Sequence, residues 1–389
     1  MHMADALLSP GVGGALYVAS AAAVAYSAKK IQKDEPGQSK APLMAVSGAM
    51  VFAAQMVNFT IPGTGSSGHI AGGILLAALL GPFAGLLALS AVLVIQCLCF
   101  ADGGLLALGC NIFNIAVIPC LFVYPLFFRP ILLASPAGSV SAKRIVDAPA
   151  GSVSAKRIVD APEGSVSAKR TWAASAGSVS AKRIWAASVV SAIIALQLGS
   201  FGVVAETTAS GVIELPFAAF ALLMQPIHLA IGVVEGLVTA AILAFVHAAR
   251  PELLARPEML ATPDAAAGGP SKSIRPVVIT FAVIAAATAL GLSLLASANP
   301  DGLEWSIEGV AGTTELEAGG PVFDFFASAR ERLSFMPDYS FGEGGVAGTP
   351  VAGIIGAVLV FALAGAAAIT INIYKKRKRR IKPGEHHDL

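Results

Sequence analysis

Charged residues are scarce in this chain of 389 residues. Asp, Glu, Lys and Arg together make up 13% of it, whereas 56% of the residues are hydrophobic. Because an ordinary soluble domain carries about 25% charged residues, this composition excludes the soluble class. It predicts an integral membrane protein.

Cysteines and the motifs of the common enzymes are also lacking. The four cysteines lie in apolar surroundings without a Cys-x-x-Cys pair, which argues against a disulfide scaffold and a thiolate metal site. The sequence has no Walker-type phosphate loop, no His-Glu-x-x-His and no nucleophile elbow with a plausible triad. We therefore expect a protein that is not an enzyme and that holds no permanent cofactor.

Long apolar runs are what the sequence has instead. No Lys or Arg precedes the first run, so we read it as a retained span and not as a signal peptide. Since a bilayer is crossed by about 20 apolar residues in a helix, the runs predict an all-α integral membrane protein with about nine transmembrane helices. They lie at about 11–28, 41–59, 69–81, 83–100, 105–128, 185–205, 217–248, 276–297 and 351–374.

Basic residues between the runs predict the orientation. Lys and Arg mark the cytoplasmic side of a membrane protein, and all their clusters can be placed on one side. The N-terminus then lies outside with the loop at 61–69 and an acidic loop at about 298–349, and the C-terminus is cytoplasmic. The basic tail at 375–380 fits this positive-inside role better than nucleic-acid binding.

A repeat interrupts the pattern at about 137–188. "GSVSAKR" occurs there four times at a spacing of thirteen residues, in a segment too polar for a span. One interpretation is a basic surface for anionic lipid or an acidic partner. The favoured one is a tandem duplication in a cytoplasmic loop, where extra length costs little closure entropy.

Two histidines are candidate metal ligands. A His at position two offers a metal three nitrogens: the amine of Met1, the deprotonated amide of His2 and an imidazole nitrogen of His2. Such a planar set suits Ni²⁺ or Cu²⁺, with Co²⁺ also plausible. His69, in a flexible loop on the same side, is the candidate for the fourth ligand, although a lone loop histidine is more often a hydrogen-bond donor.

His228 and Glu235 form a second polar pair. They are seven residues apart in one apolar run and therefore share a helix face. Ionisable groups within membranes are often functional, but a structural polar contact between helices explains the pair equally well.

Four stretches together resemble a known family: "MHMADALLSP", "NFTIPGTGSSGHIAGG", "FADGGLLALGCNIFNIAV" and "HLAIGVVEGLVTA". They are similar to the CbiM/NikM family, the metal-binding membrane component of energy-coupling-factor (ECF) transporters for cobalt and nickel. The resemblance covers about residues 1–128 and 185–250. It implies a seven-helix core whose metal ligands fall on Met1, His2 and His69.

The remainder of the chain resembles a second component. "ANPDGLEWSIEGVAG" (298–312), followed by "FMPDYSF", is similar to the two-helix NikN or PDGLE domain that accompanies the metal-binding component. We therefore expect a metal-binding domain at 1–250, a cytoplasmic linker at 251–274 and a PDGLE domain at 275–389.

The resemblance also implies a function and partners. We expect the substrate-capturing component of an ATP-driven importer of Ni²⁺ or Co²⁺ in a bacterial or archaeal cell membrane. Its partners would be a transmembrane coupling protein, cytoplasmic ATPase subunits and membrane lipid, and not nucleic acid. The alternatives are a self-sufficient secondary metal permease and a membrane metal sensor.

Overall fold

The architecture comes from a computed structural model. It describes residues 2–33, 41–134, 179–255, 274–314, 316, 318–340 and 348–381. Most of the repeat region lies outside these ranges. Residues 181–183, the last three of the fourth repeat, are the first turn of a long helix.

The described chain is mainly helical, as the sequence predicts. In chain order the helices are α1 (Pro10–Lys33), α2 (Ala41–Gln55), α3 (Gly73–Leu80), α4 (Pro82–Phe100), α5 (Leu108–Leu133), α6 (Ala181–Ser210), α7 (Phe217–Ala249), α8 (Pro251–Ala255), α9 (Arg275–Leu290), α10 (Gly302–Ala311), α11 (Pro321–Leu333) and α12 (Gly348–Ile381).

Six helices in the described ranges are long and apolar enough to cross a membrane: α1, α4, α5, α6, α7 and α12. Helices α2 and α9 are apolar but shorter, with 15 and 16 residues. This chain is therefore a multi-pass membrane protein.

Helix α3 is the short helix that the sequence predicts at 69–81. It has eight residues and all of them are buried within the protein. Gly81, with φ 86°, separates it from α4, whose first residue is Pro82. A helix too short to cross a bilayer is tolerated where protein surrounds it.

Helix α5 contains Pro119 and Pro125 within a π-helical stretch from Phe113 to Phe128. Proline has no N–H to donate to the carbonyl four residues earlier, and its ring clashes with that carbonyl. The wider π-helical turn is one of the local adjustments that accommodate proline in an apolar helix.

Helices α6 and α7 pack closely because α7 presents glycine to α6. A Cβ atom at Gly236 would lie 2.5 Å from the Cα atom of Val189, and one at Gly232 would lie 3.0 Å from that of Ile193. Such a Gly-x-x-x-Gly pair lets two apolar helices approach at backbone distance. The face of α7 that carries His228 and Glu235 is thereby fixed in the interior.

A small β-hairpin, which helical periodicity does not predict, carries the loop before His69. Strands β1 (Phe59–Ile61) and β2 (Ser66–Gly68) pair antiparallel, with Thr60 opposite Ser67. Gly63 and Gly65 have positive φ in the connecting turn, a backbone conformation that glycine adopts without strain. The hairpin ends one residue before His69.

Candidate metal centre

The first residues are held from both sides within the helical core. The amide of Met3 donates to Asn111 Oδ1 over 2.8 Å, and the Met3 carbonyl accepts from the amide of Gly104 over 2.8 Å. The Met3 side chain is fully buried. His2 is therefore fixed one residue from an anchored point.

The loop between α4 and α5 accommodates this insertion through Gly103. This residue has φ 82°, and a Cβ atom there would lie 2.8 Å from Asn111 Nδ2 and 3.3 Å from the Cβ atom of His2. Only glycine fits such a conformation so close to two other side chains.

The rings of His2 and His69 lie together in the structure. Their centroids are 5.3 Å apart and their planes differ by 11°. Burial lowers the pKa of His69 to about 4, so this imidazole is neutral at physiological pH. Its Nδ1 lies 3.1 Å from the Ile70 carbonyl oxygen, which can only accept. When Nδ1 is the donor, Nε2 keeps a lone pair for a metal.

Asp102 pairs with His2 from the side of the α4–α5 loop. Its Oδ1 lies 3.0 Å from His2 Nδ1, and its Oδ2 accepts a hydrogen bond from the Tyr339 hydroxyl over 2.5 Å. Burial alone would raise the pKa of the Asp102 carboxyl. The charge and hydrogen bond of His2, together with the Tyr339 hydroxyl, hold this pKa below its ordinary value.

Glu235 holds the loop that follows His69. Its two carboxyl oxygens accept hydrogen bonds from the amides of Ala71 (2.8 Å) and Gly72 (3.0 Å). On the other side, the Gln55 side-chain amide donates to the Ala71 carbonyl over 2.8 Å. Glu235 is therefore a positioning residue for the loop that follows His69, which we call the His69 loop. Of the two polar residues predicted on α7, Glu235 thus has a structural role at the site.

The C-terminal segment (residues 275–389) contacts the β-hairpin that precedes His69. In the "PDGLE" turn at 300–304, the Pro300 carbonyl accepts a hydrogen bond from the Ser67 amide (2.8 Å). Asp301 of the same turn forms an isolated β-bridge with Ser67. Trp305 Nε1 donates to the Thr64 carbonyl over 3.0 Å. Asp301 also caps α10 through the amides of Leu303 and Glu304.

A small cavity lies beneath this turn. His69, His228, Asp301 and Gly302 line it, together with the apolar side chains of Ile115, Leu196 and Ile231. His228 is buried; its Nδ1 lies 2.8 Å from the Met224 carbonyl and its Nε2 has no hydrogen-bond partner in the described structure.

Two of the three predicted ligands come together. His2 and His69 share one site, whereas Met1 lies outside the described residues. Among the described residues, no three side chains of His, Cys, Asp or Glu surround one point as metal ligands do. A site made of backbone nitrogens and two imidazoles would not contain such a group.

Sequence reasoning missed Asp102, Asp301 and Tyr339. Asp102 follows an apolar helix, in "ADGG", and the other two lie in the stretches that resemble the PDGLE domain. Their positions in those quoted stretches were the available signal. Asp102 contacts His2 across 100 positions of the chain, Tyr339 contacts Asp102 across 237 and Asp301 contacts Ser67 across 234, so packing between distant segments brings these residues to the site.

Family comparisons match nearly the whole chain. The family model described as CbiM, cobalt uptake substrate-specific transmembrane region, matches residues 2–158 and 163–253. The model described as PDGLE domain matches residues 275–373.

Several relatives are similar to this chain. One relative is a protein of Archaeoglobus fulgidus named as a fused nickel transport protein, NikMN. It is 31% identical to this chain over 93% of this chain and 96% of its own length. The fused nickel transport protein NikMN of Rhodobacter capsulatus is 40% identical over 30% of this chain and 33% of its own. The cobalt transport protein CbiM of Acetohalobium arabaticum is 33% identical over 32% of this chain and 50% of its own.

Among solved structures, a crystal structure of a transition metal transporter overlaps 65% of this chain and 95% of its own. The TM-score is 0.46 and the sequence identity is 22%.

Proposed function

The chain belongs to the CbiM family of cobalt uptake substrate-specific transmembrane regions and is a cobalt or nickel transport component, and from this premise we propose that it captures Ni²⁺ or Co²⁺ for an ATP-driven ECF importer. The observation that carries the proposal is the stacking of the His2 ring on the neutral, buried His69. Nitrogen ligands of this kind suit both ions and disfavour Mg²⁺ and Ca²⁺.

The proposed ligands are the Met1 amine, the His2 amide, His2 Nδ1 and His69 Nε2. The amine and the amide close a five-membered ring on the metal, and the amide and Nδ1 of one histidine close a six-membered ring. The adjacent rings favour a planar site. In the structure His2 Nδ1 faces Asp102, so capture exchanges this contact for the ion.

The anchoring of Met3 supports this ligand set. Its amide is engaged by Asn111, so chelation cannot extend along the backbone beyond residue 2. The Met3 carbonyl is also held by a hydrogen bond. Only Met1 and His2 therefore supply backbone nitrogens to the ion.

In this proposal the energy for import comes from separate subunits. The sequence contains no nucleotide-binding loop, so a transmembrane coupling protein and cytoplasmic ATPases would supply it. The metal enters from the outer side, where charge patterning places the N-terminus. No permanent cofactor is needed, because the ion is the substrate.

Reconstitution in liposomes tests the proposal. We expect the chain alone to bind Ni²⁺ and Co²⁺ and to import them only with its coupling and ATPase subunits and ATP. Uptake by the chain alone would favour the secondary permease. Binding without uptake under either condition would favour the metal sensor.

A further inference from the structure

His228 has a free coordinating nitrogen in the protein interior. Its Nδ1 lies 2.8 Å from the Met224 carbonyl oxygen of its own helix. A carbonyl only accepts, so Nδ1 carries the proton and Nε2 carries the lone pair. That Nε2 is buried and has no partner among the described residues, which is costly unless something else binds it.

A structural role does not explain this arrangement. A polar contact between helices would join His228 to another element, but its hydrogen bond stays within α7. Glu235, on the same face, does make such a contact with the His69 loop.

The free nitrogen belongs to a residue that lines the small cavity beneath the "PDGLE" turn. The cavity has about 10 Å³ for the centre of a water-sized sphere, which is about the space of one water or one small ion. A Cβ atom at residue 302 would lie 3.1 Å from His228 Cε1, so Gly302 leaves this imidazole room. His69 and Asp301 line the same cavity.

We propose that this cavity is a second, transient position for the transported divalent metal, with His228 Nε2 as its new ligand. The inference rests on the proposed function, because the ion reaches the cavity from the planar site through the shared residue His69. Asp301 supplies negative charge on the cavity wall, and water completes the coordination.

The position is suited to passing an ion on. Since no three side chains of the described residues surround one point as ligands, it binds more weakly than a four-nitrogen site. Its remaining walls are apolar. From His228 the next carboxylate on the same face of α7 is Glu235, seven residues or about 10 Å along the helix.

The test compares variants of the full chain by calorimetric titration with Ni²⁺, by Co²⁺ titration and by uptake of ⁶³Ni²⁺ into cells that make the whole transporter. In the native background, His228→Gln should bind Ni²⁺ within twofold of the native affinity, while uptake falls at least tenfold. His247→Gln, on the same helix but away from the cavity, is the matched control and should keep both within twofold.

A second background isolates the transient position. A glycine added before Met1 should remove the planar site and leave a weaker Co²⁺ site, followed by visible absorption. His228→Gln should weaken that residual site at least tenfold, and His247→Gln should not. A thermal unfolding temperature without metal close to that of the native chain shows that His228→Gln folds; His228→Asn replaces it if it does not fold.

Each outcome decides. The proposal is overturned if His228→Gln leaves either uptake or the residual site unchanged, or if it weakens the tight site tenfold, which would make His228 a ligand of that site. If the native chain binds neither ion tightly, the proposed function itself fails. If the native chain binds tightly and His228→Gln changes neither uptake nor the residual site, the proposed function stands and only the transient position is refuted.

Discussion

Adding one glycine before Met1 tests the ligand set most sharply, because it changes no side chain. Met3 is held through its amide by Asn111 and through its carbonyl by Gly104. The extended chain cannot shift its register without breaking both hydrogen bonds and moving a fully buried side chain. The addition therefore converts the Met1 amine into a peptide nitrogen and moves the new amine by up to about 3.8 Å.

The expected loss of affinity is at least about 100-fold for both Ni²⁺ and Co²⁺. Losing one of four nitrogens and its five-membered ring costs more than one decade, and two decades correspond to about 2.7 kcal/mol. Titration calorimetry of detergent-solubilised protein measures this directly. The thermal unfolding temperature without metal should stay within about 1 °C, because the anchor at Met3 is unchanged.

A control extends the chain by one glycine at the C-terminus and should bind as the native chain does. If the N-terminally extended protein binds either ion within twofold of the native affinity, the amine is not a ligand. The reasoning from the anchored Met3 would then be refuted.

The remaining predictions concern the loop, protons and the repeat. His69→Ala should lower Ni²⁺ affinity at least tenfold by calorimetry, and an unchanged affinity would remove His69 from the site. Binding should release at least about two protons between pH 7.0 and 7.5, one from an amine of ordinary pKa about 7.7–8.0 and one from the His2 amide, because these ligands must be deprotonated. A third proton comes from the His2 ring to the extent that it pairs with Asp102 as an imidazolium. His69, whose pKa burial lowers to about 4, contributes none, and calorimetry in buffers of different ionisation enthalpy counts the protons. Glu235→Ala removes the acceptor of two buried amides and should cost about 2 kcal/mol of stability, seen as a lower unfolding temperature, whereas Glu235→Gln keeps one acceptor oxygen and should lose about half as much. Deleting residues 151–176, which spares the helix that begins at Ala181, should leave ⁶³Ni²⁺ uptake near normal, and a large loss would show that the repeats have a role.

The sequence predicts much of the helical fold because apolar runs of sufficient length have few alternatives in a membrane. Counting spans also predicts that His2 and His69 lie on one side of the membrane, and in the structure their rings stack. The role of Met1 stays a prediction. The hairpin before His69 is not predicted, since three-residue strands leave no periodicity to detect.

The contacts that complete the site lie beyond sequence patterns for a physical reason. Asp102 and Tyr339 are joined by a hydrogen bond across 237 positions of the chain, and no local propensity encodes such a pair. His228 and Glu235 look alike in sequence as polar residues on an apolar helix. Only the direction of their hydrogen bonds separates a residue that positions the loop from one with a free nitrogen.

The covalent connection between the C-terminal segment and the rest of the chain changes how tightly its "PDGLE" turn needs to hold the hairpin before His69. A tethered partner acts at an effective concentration of millimolar order, so a few hydrogen bonds such as those of Ser67 and Trp305 suffice for occupancy. A tethered turn that separates from the hairpin stays within reach of it and can bind again without a new encounter in solution. A separately encoded partner would need a stronger, slower contact to be present as often, and every fused chain carries one turn for each metal site.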